Sequence, residues 1–233
     1  MAAAILAGGL GIRFRQVLGD RPKVLAEVRG RPFLQYLLDQ LASCGIRSVV
    51  LCTGHLGDQI ESYFGDSYGS LRLTYSRETS PLGTAGALRL ALPHFQSDSV
   101  LVLNGDSYCK SDLHSFWSWH CEQTAVATLL LVERPDTKRY GRVQIDEKGH
   151  ILTFEEKHNR EGGGWINAGI YLFSHRFLRS IPESSPVSLE REILPLWIGK
   201  GLHGYKTDGE FIDIGTPGSY WLAEKFFAED ILK

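Results

Sequence analysis

Two stretches near the start of the chain carry residues suited to holding phosphate. The first is Leu6-Ala7-Gly8-Gly9-Leu10-Gly11-Ile12-Arg13, directly after a short apolar run. Its glycines let main-chain N–H groups approach a phosphate chain closely, and Arg13 adds a permanent charge with paired donors. A plain flexible turn is the simpler alternative. The second stretch is Arg21-Pro22-Lys23. Proline holds the backbone extended, and Lys23 follows as a mobile point charge that can return beside the same phosphates; a solvated basic turn would look the same. No Gly-Lys-Ser/Thr is present, which excludes a P-loop. Phe14 stands where a dinucleotide fingerprint needs a third small residue, and the neighbouring arginine favours a triphosphate.

An acidic group completes this set. Val100-Leu101-Val102-Leu103 reads as a buried strand that runs into Asn104-Gly105-Asp106. Asp106 then falls at the carboxyl edge of a sheet, where open α/β folds bind ligands. A carboxylate there suits Mg²⁺, a hard cation that prefers carboxylate and phosphate oxygens, although Asn-Gly-Asp can also be a simple turn. There is no Gly-x-Ser-x-Gly elbow, and the histidines show no metal-ligand spacing, so a hydrolase is not expected.

The glycine-rich start together with Pro22-Lys23 resembles the sugar-1-phosphate nucleotidyltransferases, the nucleoside-diphosphate-sugar pyrophosphorylases. Later motifs extend the resemblance from residue 3 to residue 217. It implies transfer of a nucleoside monophosphate from a triphosphate to a sugar 1-phosphate, with release of pyrophosphate. It also implies that Leu6, Ala7, Gly8, Gly9 and Gly11 wrap the nucleotide, with Arg13 on the pyrophosphate side and Lys23 on the α-phosphate. The segment Glu78-Thr79-Ser80-Pro81-Leu82-Gly83-Thr84 corresponds to the part of the family that lies under the base, with Glu78, Pro81, Gly83 and Thr84 as contacts. A carboxylate only accepts hydrogen bonds, and guanine offers two adjacent donors, so Glu78 leans toward GTP; a surface glutamate is the other reading.

On the metal, Asp213 in Phe211-Ile212-Asp213-Ile214-Gly215-Thr216-Pro217 resembles the family's second ligand, sharing one Mg²⁺ with Asp106. The alternative is a turn or capping aspartate. On the sugar side, the resemblance implies contacts from Gly105, Tyr140, Gly141, Glu156, Lys157 and Asn167. His158 replaces the proline that usually follows the Glu-Lys pair. Ser188-Leu189-Glu190 with Glu192 also fits, with a role that is mainly helix capping. Within the family the chain is most similar to the short guanylyltransferases of D-glycero-D-manno-heptose 1-phosphate, on Arg31-Pro32-Phe33-Leu34, Pro81–Thr84 and Phe211–Gly215. Mannose 1-phosphate is the nearest rival substrate. A catalytically silent nucleotide-sugar-binding protein is the rival from another class, but it would be expected to lack Arg13, Lys23, Asp106 or Asp213.

Elements must hold these residues together. Short apolar runs alternate with helix-period segments up to about residue 124: strands at 3–6, 49–52, 71–75 and 100–103, and helices around 34–41, 60–64, 84–92 and 113–120. This order predicts an α/β, Rossmann-like fold with a mixed, mainly parallel sheet flanked by helices. Strands then dominate (125–132, 142–145, 151–154, 166–173 and 211–214), with helices from Ser188 toward Ile198 and from Thr216-Pro217 onward. One domain over 1–233 is expected, with a nucleotide half at 1–124 and a half for the sugar and second metal aspartate at 125–233. No appended β-helix domain is expected after Pro217.

A chain of 233 residues that is 43% hydrophobic, with a net charge of −2, can bury a full core and offers no polyanion-binding face, so nucleic acid is not expected. Met1–Ala7 lacks the pattern of a signal peptide, and no run approaches the ~18 apolar residues of a membrane span. Cys44, Cys52, Cys109 and Cys121 show no paired spacing and are expected to be reduced and mostly buried. These features point to a cytoplasmic protein without membrane partners, and leave open a homo-oligomer.

Overall fold

The computed structural model describes residues 2–9, 19–155, 162–183 and 186–228. Its centre is β1 (Ala2–Leu6), paired in parallel with β4 (Ser48–Thr53) on one side and β7 (Ser99–Asn104) on the other. β6 (Leu71–Arg77) continues the parallel run beside β4. β1, β4 and β7 are buried on both faces, and their successive residues alternate between two cores. Ala3, Ile5, Val49, Leu51, Leu101 and Leu103 face one core; Ala4, Val50, Val100 and Val102 face the other.

Helices that close the first core include α1 (Phe33–Ser43), which buries Phe33, Leu34, Leu37, Leu38 and Leu41, α2 (Gly57–Phe64), and the last helix. Gly45 ends α1 with φ 72, the left-handed conformation that glycine adopts without a Cβ penalty. The second core is closed by α3 (Gly83–Ala91), which buries Ala85, Leu88 and Ala91, by α5 (His175–Arg179) and by residues 186–198.

Beyond β7 the sheet becomes antiparallel. β12 (Gly164–Ser174) pairs with β7, with β9 (Ala127–Arg134) and with β10 (Arg142–Ile145), which pairs in turn with β11 (Ile151–Glu155). β13 (Leu202–Thr207) adds in parallel to β9. A mixed ten-stranded sheet results among the described residues. β12 bulges between Asn167 and Tyr171, with Gly169 at φ 75; the bulge is what turns Asn167 and Gly169 toward the ligand edge.

Several elements differ from expectation. The helix expected from Ser188 toward Ile198 is a π-turn over Leu189–Ile193 followed by a 3-10 turn over Leu194–Trp197. Pro195 has no N–H to continue a ladder. A small separate sheet pairs β8 (Ser107–Cys109) with β14 (Phe211–Asp213), and it decides where Asp213 sits. The last helix, α6 (Pro217–Phe226), opens as expected on Thr216, in a capping box with Ser219. Cys52 and Cys109 are buried, but Cys121 is exposed on α4 (Leu113–Glu122), whose inner face is Leu113, Phe116 and His120. Among the described residues no helix is long and apolar enough to cross a membrane.

Candidate active site

The carboxyl ends of β1 and β7 form one wall of a cavity of about 350 Å³, lined by Leu6, Ala7, Gly8, Gly9, Lys23, Glu78, Pro81, Gly83, Thr84, Asn104, Gly105 and Asp106 among others. Gly105 donates to the carbonyl of Leu6 at 2.9 Å. A Cβ there would lie 2.5 Å from that carbonyl oxygen and 2.8 Å from Val24, so only glycine fits. Pro22, at φ −56 and ψ 137, delivers Lys23 into a 3-10 turn, and Lys23 Nζ lies 2.5 Å from Asp106 Oδ2. The expected cation and carboxylate therefore meet across 83 positions.

Glu78 stands against the glycines. A Cβ on Gly8 would sit 3.2 Å from its Oε1, and one on Gly54 only 2.6 Å. Its other oxygen accepts from the Leu82 amide at 3.0 Å, and burial pushes its carboxyl above the usual range. Gly83 begins α3 at φ 73 against the Val187 carbonyl, which a Cβ would approach to 2.5 Å. Thr84, expected beneath the base, donates its hydroxyl to Glu190 at 3.0 Å and accepts from the Leu189 amide at 2.8 Å. This joins the 81–84 segment to the 188–192 segment.

A second cavity, of about 550 Å³, shares Asn104 and Asp106 with the first and is lined further by Arg139, Tyr140, Gly141, Phe154, Asn167, Gly169, Glu190, Asp213 and Thr216 among others. The antiparallel pairing of β8 with β14 sets Asp213 opposite Ser107, next to Asp106 in the chain. The Ile214 amide also donates to the carbonyl of Asp106 at 2.8 Å. Asp213 is held by the Gly215 amide at 2.7 Å, the Tyr140 hydroxyl at 2.5 Å, Ser219 Oγ at 3.1 Å and Arg139, whose Nη2 lies 3.0 Å from Oδ1 and 3.3 Å from Oδ2. Burial and then the Asp213 carboxylate push the Tyr140 phenol well above its usual pKa.

Behind this cavity the fully buried Tyr171 collects a polar network. Its hydroxyl accepts from Asn167 at 2.8 Å and donates to Glu190 at 3.1 Å. Burial, then the charge of Glu190, keep that phenol protonated. Asn104 Nδ2 also reaches the Tyr171 hydroxyl at 3.4 Å, while its Oδ1 is buried with no partner among the described residues. Asn104 as a residue stands in the wall common to both cavities.

The expected residues thus divide between two adjoining cavities. Gly11, Arg13, Glu156 and Lys157 lie outside the described residues. Ser188 and Glu192 do cap, since Ser188 Oγ accepts from the Arg191 amide and Glu192 accepts from the Ser188 amide. Glu190, between them, instead lines the second cavity. Sequence reading missed Arg139, Tyr171 and the orphan face of Asn104; each stands beside a motif that was read, but its partners are remote in sequence.

Among the described residues there is no cluster of three or more side chains suited to a metal. The donor chemistry nonetheless fits a hard cation that takes one or two carboxylates and completes its shell with phosphate oxygens and water. Asp106 and Asp213, which both line the second cavity, are the carboxylates that would be offered to it.

The pattern of the family described as nucleotidyl transferase matches residues 2–230, and the chain belongs to that family, among the sugar-1-phosphate nucleotidyltransferases. The reaction of the family joins the nucleotidyl group of a nucleoside triphosphate to a sugar 1-phosphate and releases pyrophosphate. The chain is 36% identical over 226 residues to D-glycero-alpha-D-manno-heptose 1-phosphate guanylyltransferase of Aneurinibacillus thermoaerophilus, covering 97% of each. It is 34% identical to mannose-1-phosphate guanylyltransferase of Mycobacterium tuberculosis over 94% of this chain and 62% of that longer protein. The crystal structure of HddC from Yersinia pseudotuberculosis complexed with GMP-PN superposes with a TM-score of 0.85 at 33% identity, covering 97% of this chain and 99% of that one.

Proposed function

We propose that this chain is a Mg²⁺-dependent guanylyltransferase that joins GMP from GTP to D-glycero-D-manno-heptose 1-phosphate. The observation that carries the reading is the pair of adjoining cavities with Asn104 and Asp106 in their common wall. A triphosphate in the first and a sugar phosphate in the second would meet at Asp106. The half-buried acceptor Glu78 supports guanine, and the likeness to guanylyltransferases over nearly the whole chain supports both base and sugar.

The reaction brings two anions together, so its barrier is repulsion and misalignment. Glu78 accepts from the two adjacent donors of guanine and fixes the base. Gly8, Gly9 and Gly11 present main-chain donors to the phosphates, with Arg13 on the departing pyrophosphate. Lys23, already beside Asp106, swings its ammonium onto the α-phosphate. Asn167, Tyr140, Gly141 and Glu156 hold the sugar, and Lys157 orients its phosphate for in-line attack. No general base is needed, because a sugar phosphate is ionised near neutral pH. Asp106 and Asp213 would hold a divalent cation, which would supply charge neutralisation.

The test is a panel of four nucleoside triphosphates crossed with mannose, glucose and heptose 1-phosphates, scored by pyrophosphate release. GTP with heptose 1-phosphate is expected to give the highest kcat/KM. Preference for UTP or dTTP would overturn the base, preference for mannose 1-phosphate the sugar, and no turnover in any pair the enzyme itself.

A further inference from the structure

We propose that Arg139 is a resident counter-cation on Asp213 that gives up its hydrogen bonds when a divalent cation binds, and so sets the affinity of the metal site. The inference rests on the reading of Asp213 as a metal ligand. It starts from a count of lone pairs. A carboxylate offers about four acceptor sites. Asp213 already meets the Gly215 amide, Ser219 Oγ, the Tyr140 hydroxyl and both contacts from Arg139 Nη2. Its acceptor capacity is filled, so an incoming cation must displace a partner.

The partners are not equally replaceable. Gly215 is main chain. Ser219 is fixed by the capping box of α6. The Tyr140 ring packs edge-on against Phe211 with centroids 5.6 Å apart and, unlike a guanidinium, brings no positive charge to oppose a cation. Arg139 is different: its side chain is 47% exposed against 10% for Asp213, it lines the cavity, and its positive charge opposes a cation at the same oxygens. It is the partner that leaves. Lys23 stands in the same relation to Asp106, so each of the two carboxylates carries a protein cation before metal arrives.

The test titrates the full chain with Mn²⁺, followed by the electron paramagnetic resonance of the free ion, in the presence of a fixed concentration of a non-hydrolysable guanosine triphosphate analogue. Arg139→Gln is expected to bind Mn²⁺ roughly three- to tenfold more tightly than the unmodified chain, the scale of a half-exposed ion pair removed from competition. Arg139→Lys, which keeps the charge, is expected to stay near the unmodified affinity, and Asp213→Asn to weaken binding at least tenfold. Arg139→Ala serves as a second neutral variant should Gln disturb folding. Equal or weaker binding by the neutral variants, with Asp213→Asn still weakened, would overturn the exchange while leaving the metal reading intact. If Asp213→Asn binds as the unmodified chain does, or the unmodified chain binds no Mn²⁺, the metal reading fails and the exchange with it.

Discussion

Lys23 can change partner without changing place. Its ammonium is paired with Asp106 at 2.5 Å and lines the glycine-lined cavity, so under the proposed function a short swing of a flexible stem would carry it from carboxylate to phosphate. Lys23→Ala is expected to lower kcat by about 10²–10³-fold, the effect of removing one aligned charge donor, while the thermal midpoint moves by no more than a few degrees. Steady-state pyrophosphate release and a melting curve check the two halves of that statement. Near-normal turnover would remove Lys23 from the mechanism. Glu78 makes a different kind of prediction. Under the proposed function, Glu78→Gln replaces one acceptor oxygen with a donor that would face guanine's own donors, so the ratio of kcat/KM for GTP over UTP is expected to fall by about tenfold or more. Competition between the two triphosphates measures it, and an unchanged ratio would show that the carboxylate does not read the base.

At the scale of elements, the joint between α3 and the 187–192 segment holds the floor of the site. Gly83 accepts φ 73 and the close Val187 carbonyl, Ala85 donates to that carbonyl at 3.0 Å, and Thr84 grips Glu190. Gly83→Ala is expected to cost about 1–3 kcal/mol through backbone strain and forced displacement. Urea denaturation would read this, with a parallel loss of activity; an unchanged midpoint would mean that the loop yields freely. Such joints mark the limit of what sequence makes legible. The core strands and α1 to α4 could be read because apolar periodicity is local, as in Leu34, Leu37, Leu38 and Leu41. The start of α6 could be read because Thr216-Pro217 is a local signal. The pairing of Asp213 opposite Ser107 could not, since nothing near either residue encodes a register across so many positions. β13 was missed because Leu202-His203-Gly204-Tyr205-Lys206-Thr207 has neither alternation nor an apolar run. Asp106 is reached from the apolar strand that runs into it and Asp213 through motif resemblance, whereas Arg139, whose importance lies in an ion pair 74 positions away, is reached by neither.

At the scale of the whole molecule, His120 ties α4 to the sheet. Its Nδ1 lies 2.7 Å from Thr128 Oγ1 on β9, and its Nε2 lies 3.4 Å from Ser99 Oγ on β7. Burial, and then the nearby His203, push its pKa down from 6.5 to about 4. The folded chain therefore keeps this ring neutral where the unfolded chain protonates it. Stability from this source is complete above about pH 6.5 and is lost as the pH falls toward 4, by on the order of 2–3 kcal/mol. His120→Gln is expected to flatten the denaturation midpoint between pH 7 and pH 5, and an equally steep profile in the variant would assign the acid sensitivity elsewhere. The wall of Asn104 and Asp106 that both cavities share has a consequence of its own for inhibition. Two fragments lodged on either side of so thin a partition can be tethered through a very short bridge. The second fragment then docks at a high local concentration instead of searching through bulk solvent. A single compound carrying guanosine at one end and a sugar at the other, linked by a stable phosphonate, should outcompete its unlinked halves by far more than either alone.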